Sequence, residues 1–330
     1  MARLLVRSVV VLAFAAGVGQ TQQTPREPLL VSPQWLKDHL KDADLVILHV
    51  GDSQKFSAGH VPGARLLDLD EISQSDTTGF GEMMKEMAKR FPDAKPPKFA
   101  GPANGLALEM LPAEQLRTQL ASFGISDNSK IVVYEEGKWI SPATRVVFTL
   151  DYAGLGNRTV MLDGGFAAWK GAGNDVSTDN PPPAKPGKLS ALKVRPIIAT
   201  AEYMNANGHR AGVSLVDARA ASFYDGVPPS GRGMGPAQRL GHIPGAKSIP
   251  FNSLNEPTGQ LKSATELREI FTKAGVQPGD TVVAYCHVGQ QATAVLFAAR
   301  TLGHPVMLFD GSWDSWNRHT EFPVELPKKP

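Results

Sequence analysis

A six-residue motif occurs twice in this chain, once in each half, and this repeat constrains the fold more than any other feature. Gly59-His-Val-Pro-Gly-Ala64 recurs as Gly241-His-Ile-Pro-Gly-Ala246. Further matches follow in the same order, namely 130–134 with 281–285 and 160–169 with 306–316. Self-similarity of this kind indicates a duplicated domain. The length of 330 residues also exceeds what one typical core requires.

Each half alternates short apolar runs with amphipathic segments. The runs typical of buried strands are 45–48, 131–134, 213–216 and 282–285. The segments with helical spacing of apolar residues are 33–40, 113–123, 201–208 and 264–274, with Ser32, Thr200 and Ser263 as expected N-caps. This alternation predicts an α/β fold in two copies, each a parallel sheet with helices on both faces.

The domain boundaries follow from the repeat. We expect a first domain at 27–174, a linker at 175–195 and a second domain at 196–330. The linker is rich in proline and has no apolar period, which is typical of an exposed segment. The first half is longer than the second, and the excess lies at 73–110. We expect this insertion to be a surface excursion, with a lid or a partner contact as the alternative.

The amino-terminal segment has the pattern of a secretory signal peptide. Arg3 and Arg7 precede the apolar run 8–16, which small and polar residues follow. This order predicts a signal peptide at 1–22 and an exported, periplasmic protein. The apolar run is much shorter than the roughly 20 residues that span a bilayer, so we expect no stable membrane anchor.

The charge balance and the cysteine count exclude several kinds of partner. A net charge of +2 with no basic run gives no electrostatic footprint for nucleic acid. Cys286 is the only cysteine, which excludes an intrachain disulfide and a cysteine-based zinc cluster. His60 and His242 of the repeated motif have no second ligand at metal-binding spacing, so we expect no metal and assign them to local backbone contacts.

The position of Cys286 favours a reactive thiol. The residue directly follows a predicted strand, and the apolar segment 292–302 behind it predicts a helix. In a parallel sheet such turns lie at the carboxyl edge, where ligands bind. The amino-terminal end of the helix favours the thiolate. We therefore expect a reactive cysteine in a surface turn.

The segment Cys286-His-Val-Gly-Gln-Gln291 resembles the six-residue active-site loop of the rhodaneses. The repeated Gly-His-[Val/Ile]-Pro-Gly-Ala motif and Asp310-Gly-Ser-Trp-Asp-Ser-Trp316 resemble the flanking motifs of that family. The resemblance covers about 27–174 and 196–325. It is to the tandem-domain class related to thiosulfate and 3-mercaptopyruvate sulfurtransferases, in which the second domain alone carries the cysteine. Glu135 takes the equivalent position in the first domain, which we expect to be catalytically silent.

The resemblance implies a thiosulfate sulfurtransferase that needs no cofactor. Cys286 would take the outer sulfur of thiosulfate as a persulfide, release sulfite and pass the sulfur to a thiol or cyanide acceptor. The expected substrate-binding residues of the loop are His287, Val288, Gly289, Gln290 and Gln291, whose main-chain N–H groups can converge on an anionic sulfur. We expect His287 to be exposed on this loop.

One arginine of the family pattern is missing. Ser222 stands where family members place that arginine, just before an aromatic residue. Arg232 and Arg239 are the candidates to replace it as oxyanion ligands, with a solvated surface position as the alternative for each. Arg219 is expected to pair at the end of its strand.

The same residues are compatible with other functions. The donor could be 3-mercaptopyruvate, because the loop differs from the familiar patterns of both donor classes. The protein could also be a non-enzymatic persulfide carrier or a binding module. A cysteine-dependent phosphatase is disfavoured, since Ala292 occupies the position of the arginine that such a phosphatase requires.

Overall fold

The computed structural model describes residues 29–78, 98–137, 139–181, 183–227 and 239–327. The strands of the first half are β1 (Leu30–Val31), β2 (Leu45–Val50), β3 (Arg65–Leu67), β4 (Ser73–Gln74), β5 (Glu109–Met110), β6 (Lys130–Glu135) and β7 (Thr159–Leu162). Those of the second half are β8 (Ile198–Ala199), β9 (Val213–Asp217), β10 (Lys247–Ser248), β11 (Thr281–Tyr285) and β12 (Val306–Phe309).

Ten of these strands form two five-stranded parallel sheets, one in each half, and β4 and β5 form a separate pair. The order is β1-β7-β6-β2-β3 in the first sheet and β10-β9-β11-β12-β8 in the second. The predicted fold class is confirmed: each copy is an α/β domain, and within each five-stranded sheet every pair of neighbouring strands is parallel. β6 and β11 lie at the centre of their sheets, so the residues that follow them lie at the middle of the carboxyl edge.

The helices cover both faces of the sheets. Their bounds are Pro33–His39, Ser53–Ala58, Ala113–Ser122, Ser141–Tyr152, Gly165–Gly171, Ala201–Asn207, Ala221–Tyr224, Ala264–Lys273, Ala292–Thr301 and Ser312–Arg318. The predicted N-caps are confirmed, because the hydroxyls of Ser32, Thr200 and Ser263 accept hydrogen bonds from the main-chain N–H groups of Trp35, Tyr203 and Glu266.

One hydrophobic core runs continuously from the first domain into the second. The helices Ser141–Tyr152 and Ala292–Thr301 pack against each other, and nearly all their side chains are buried. The hydroxyl oxygens of Thr144 and Thr293 lie 2.9 Å apart across this contact. Separate clusters fill the outer face of each sheet. The loop before Ala292–Thr301 therefore lies against the first domain.

The segment predicted to be an exposed linker contains no helix and lies along the first domain. Gly187 donates a main-chain hydrogen bond to Ala121 at 2.8 Å, and Lys188 accepts one from Asp127 at 3.1 Å. Leu189 is buried. Close backbone pairing thus holds this part of the connection in place.

The two described ends of the insertion at 73–110 lie side by side. β4 and β5 pair with each other in an antiparallel arrangement. Leu106 and Leu111 are buried between the surrounding elements. Both ends are thus partly covered, while the expectation of a surface excursion, with a lid or partner contact as the alternative, stays a prediction because residues 79–97 lie outside the described ranges.

Three predictions concern residues outside the described ranges. They are the signal peptide at 1–22, residues 79–97 of the insertion, and Arg232. Within the described part of the chain, none of the helices has the length and apolar character needed to cross a membrane.

Candidate active site

Cys286 lies at the end of β11 with its side chain fully buried, at 0% exposure. Its main-chain N–H donates to the Ser312 hydroxyl at 3.1 Å, and its carbonyl accepts from the N–H of Trp313 at 3.0 Å. The predicted strand-to-helix position is present, but the expectation of a surface turn is wrong. The segment after β12 thus binds both polar groups of the Cys286 backbone, and the thiol is enclosed in the interior.

Two opposing influences act on the thiol. Burial raises the pKa of Cys286 above its ordinary value, because the interior solvates a thiolate poorly. Hydrogen bonds from main-chain N–H groups lower the pKa and partly offset this effect; the donors are Ala292, Val288, Gln291 and Gly289. These four groups surround the sulfur and include the first residue of helix Ala292–Thr301. Such a cradle stabilises negative charge on sulfur without a cationic side chain.

Gly289 gives the loop its curvature. Its φ angle is +80°, in the left-handed region that favours glycine. A Cβ at this position would lie 2.6 Å from the Asp310 carbonyl oxygen and 3.0 Å from Nη1 of Arg145. The close approach leaves no room for a side chain, so both backbone conformation and packing require glycine here.

Gly289→Ala is expected to lower stability and to impair sulfur chemistry together. The positive φ alone costs a non-glycine residue roughly 1–3 kcal/mol, and the clash with Asp310 displaces the loop that carries the N–H donors. Denaturant unfolding measures the first effect and the alkylation rate of Cys286 measures the second. Gly303→Ala is the matched control, because Gly303 also has a positive φ but its Cβ would meet no neighbouring atom within 4 Å. Equal effects of the two substitutions on alkylation would contradict this account.

His287 is half-buried rather than exposed as predicted. Its ring stands edge-on to Phe223, with ring centroids 4.6 Å apart. Burial, with a smaller contribution from the positive charge of Arg219, lowers the pKa of His287 to about 4. The imidazole is therefore neutral at pH 7 and supplies no positive charge to the site.

The other loop residues, Val288, Gln290 and Gln291, are partly exposed. Gln291 occupies the N-cap position of the helix, but no side chain caps it there. The Thr293 hydroxyl donates to the carbonyl of Gln290 at 2.6 Å. The two amide side chains thus lie at the loop surface next to the buried thiol.

Arg219 is paired at the strand end as expected. Its guanidinium binds the Asp217 carboxylate in a bidentate manner, with an Nη2 to Oδ2 distance of 2.6 Å. The same group lies over the Trp313 ring at 4.2 Å and is almost fully buried. The positive charge of Arg219 is therefore paired with Asp217 and with the Trp313 ring, and these contacts hold the side chains beside Cys286 in place.

Arg239 lies at a different place from the one its predicted role requires. Its guanidinium donates to the carbonyls of Phe322, Trp316 and His319. Two of these carbonyls belong to the carboxyl-terminal end of helix Ser312–Arg318 and the residue after it, whereas Cys286 adjoins the amino-terminal end of that helix. Arg239 thus caps a helix end, and the structure does not support its assignment as a substrate ligand.

Arg145 of the first domain contacts the cysteine loop, which the sequence analysis did not identify. Its Nη1 forms a buried ion pair with Asp310 Oδ1 at 2.6 Å and donates to the carbonyl of Gly289 at 3.2 Å. Its Nη2 donates to the carbonyl of Leu108 at 2.6 Å, and the N–H of Met110 donates to Asp310 Oδ2 at 2.7 Å. The guanidinium thereby joins the first domain, the insertion and the cysteine loop.

Ser312 is a second residue that the sequence analysis missed. It has φ +50°, which is uncommon for a residue with a side chain, and it is fully buried. Its hydroxyl donates to the carbonyl of Phe309 at 2.9 Å and accepts from Cys286 N–H. Strain of this kind is often found at functional sites. The sequence contained one signal for this residue, because Ser312 lies in the segment 306–316 that matches 160–169 of the first half.

The described residues contain no cluster of three or more His, Cys, Asp and Glu side chains that could hold a metal ion. His60 donates from Nδ1 to the carbonyl of Phe56, and His242 does the same to Tyr224, each at 2.9 Å. The assignment of these histidines to local backbone contacts is confirmed. Trp313 and Trp316 are fully buried and belong to the core.

Comparisons with known proteins agree with this arrangement. A family model described as a rhodanese-like domain matches residues 32–172 and 200–319. A thiosulfate sulfurtransferase from Cricetulus griseus is 31% identical, over 87% of this chain and 91% of that protein. A 3-mercaptopyruvate sulfurtransferase from Escherichia coli K12 is 27% identical, over 90% of this chain and 98% of that protein.

Solved structures show the same fold. The crystal structure of a 3-mercaptopyruvate sulfotransferase from Escherichia coli superposes with a TM-score of 0.68 at 24% identity, covering 87% of this chain and 99% of that one. The crystal structure of YnjE gives a TM-score of 0.74, also at 24% identity, covering 93% of this chain and 70% of that one. With both halves matched by the same family model, the chain belongs to the rhodanese family and carries two rhodanese-like domains in tandem.

Proposed function

We propose that this protein is a sulfurtransferase that moves a sulfane sulfur from thiosulfate to a thiophilic acceptor through a persulfide on Cys286. The observation that carries the proposal is the buried thiol surrounded by the N–H groups of its own loop and of the following helix. Sulfurtransferases among the relatives that cover almost the whole chain support the same reaction class.

The reaction follows from nucleophilic displacement at sulfur. The Cys286 thiolate attacks the outer sulfur of thiosulfate, a new S–S bond forms, and sulfite leaves with the electron pair of the broken S–S bond. The loop N–H groups stabilise the anionic terminal sulfur of the persulfide. A nucleophile such as cyanide then attacks that sulfur, giving thiocyanate and regenerating the thiolate. No cofactor or metal enters either step.

Intact-mass measurement of the purified protein tests the proposal. Addition of thiosulfate is expected to increase the mass by one sulfur atom, and later addition of cyanide is expected to remove the increase. A mass increase with 3-mercaptopyruvate but not with thiosulfate would show that 3-mercaptopyruvate is the donor. No gain with either would favour a binding module, and a persistent gain with slow turnover would favour a persulfide carrier.

The raised pKa of Cys286 predicts an unusual pH dependence of alkylation. Only the thiolate reacts with iodoacetamide, so the rate should still increase above pH 9, where an ordinary thiol approaches its limit. Because the pKa of His287 is about 4, no inflection is expected near pH 6.5. The measurement is the alkylation rate as a function of pH. A plateau below pH 8, or a step near neutrality, would contradict the account.

We also propose that the protein acts after export. The basic, apolar and polar order of residues 1–22 supports removal of this segment by a signal peptidase. Amino-terminal sequencing of the protein secreted by its own host tests this. A mature protein that retains residues 1–22 would overturn the proposal.

A further inference from the structure

The first domain has a cavity at the same sheet edge where Cys286 lies in the second domain. Its volume is about 320 Å³, and its wall includes Gly51, Lys55, Glu135, Glu136 and Trp139. Glu135 ends β6 in the position where Cys286 follows β11. The first domain thus has a cavity at the position that corresponds to the thiol of the second domain.

Two neighbouring replacements change the character of this cavity. The strand register places His49 beside Tyr134 in the first sheet, as it places Asp217 beside Tyr285 in the second. Gly51 then corresponds to Arg219, two residues further on. In the second domain the Arg219 side chain fills this space and pairs with Asp217. The glycine leaves the equivalent space in the first domain without a side chain.

The His49 ring presents an unpaired donor beside Gly51. The N–H of Val61 donates to the Tyr134 hydroxyl oxygen at 3.0 Å, and His49 Nδ1 lies 3.0 Å from the same oxygen. We assign the hydroxyl as the donor to Nδ1, which gives its hydrogen an acceptor. Since burial lowers the pKa of His49 to about 4, the ring is neutral, and this assignment puts its one hydrogen on Nε2.

This Nε2 has no hydrogen-bond partner among the described residues, although His49 is 0% exposed. It lies 3.2 Å from the position that a Cβ on Gly51 would take. A buried N–H without a partner is costly, so an acceptor supplied by a ligand at Gly51 would be stabilised.

Two carboxyl groups on the cavity wall, those of Glu135 and Glu136, favour a positively charged group. Glu135 is buried and accepts a hydrogen bond from the N–H of Gly137, while burial raises its pKa to about 8. Glu136 Oε2 is buried and has no hydrogen-bond partner in the described part of the chain. A cation placed between the two carboxyl groups would relieve both conditions.

Two further side chains define the ends of the cavity. The Trp139 indole is 62% exposed, stands edge-on to Phe251 at 5.6 Å and offers a face to a cation. Lys55 is paired with Asp52 at 3.4 Å near the surface and can bind an anionic group. The cavity therefore combines an acidic part with a part that donates hydrogen bonds.

We propose that this cavity binds a small zwitterion of the α-amino-acid type, with its ammonium group at Glu135 and Glu136 and its carboxylate directed to His49 Nε2 and Lys55. Binding is non-covalent, and the site is separate from the Cys286 chemistry. The first domain would thus serve as a ligand-binding module in the protein.

Titration calorimetry of the full chain with glycine tests the proposal. We expect glycine to bind the wild-type protein, and the affinity to decrease at least tenfold in Glu135→Gln and in Gly51→Ala, whose new Cβ would block His49 Nε2. Below pH 8 the ammonium group should ionise Glu135, so binding in buffers of different ionisation enthalpy should reveal release of a proton. The charged groups near Glu135 are Lys55, Glu136 and Asp52. The Glu135→Gln substitution should abolish the proton release.

Ethylammonium and acetate separate the two halves of the ligand. Each is expected to bind more weakly than glycine, since each makes half of the contacts. Thermal unfolding and sulfur transfer, measured on every variant, verify the fold and the second domain independently. The absence of glycine binding, equal affinity in the variants, or acetate binding as tightly as glycine would each overturn the proposal.

Discussion

Replacement of Cys286 by serine is expected to reduce sulfur transfer to the uncatalysed rate while the protein keeps its fold. A serine hydroxyl ionises far less readily than a thiol, and it cannot form the persulfide on which the proposed cycle depends. The smaller oxygen still accepts hydrogen bonds from the loop N–H groups that surround Sγ. The buried polar group is therefore satisfied, and the stability cost should be small.

Steady-state thiocyanate formation, intact mass and thermal unfolding check this result together. The variant should show no mass increase with thiosulfate and an unfolding midpoint close to that of the wild type. Turnover that persists in Cys286→Ser would contradict the persulfide mechanism. An unfolded variant would instead show that the thiol is needed for packing, and Cys286→Ala, which keeps the apolar contacts, then becomes the comparison.

Arg145→Ala is expected to have the second largest effect, on both stability and activity. The substitution leaves the Asp310 carboxylate buried without its ion-pair partner, which typically costs about 3–5 kcal/mol. It also removes the donor that holds the carbonyls of Gly289 and Leu108. Denaturant unfolding should show the lower stability, and kcat should decrease because the cysteine loop loses its anchor.

A double substitution separates the structural role of this residue from its positioning role. Arg145→Met with Asp310→Leu removes both buried charges, and such replacements often recover stability. We expect unfolding stability to recover in part while kcat stays low, because Gly289 still lacks its donor. Recovery of activity along with stability would show that Arg145 acts through stability alone.

The sequence predicted the elements of the fold well. The apolar runs became β2, β6, β9 and β11, and the four amphipathic segments became helices, three of which have the predicted hydroxyl residues as N-caps. These features depend on residues a few positions apart, which a local pattern reveals. The strand end before Cys286 was predicted for the same reason.

The environment of the site was predicted less well. Arg239 was expected near the substrate but binds carbonyls at a helix end. Arg145 was not identified because its partners Gly289 and Asp310 lie in the other domain. The charge of an arginine is visible in the sequence, but the group that it pairs with depends on packing.

The sequence by itself determined that the chain has two α/β domains and that its single cysteine follows a strand ahead of a helix. Repeats, apolar periodicity and capping residues act over short distances and so can be recognised without a structure. Only the tertiary structure decided that Cys286 is buried, that Arg145 of the first domain holds its loop, and that the buried His49 ring lies beside Gly51. These properties depend on desolvation and on contacts between residues distant in sequence, which arise only when the sheets and helices pack.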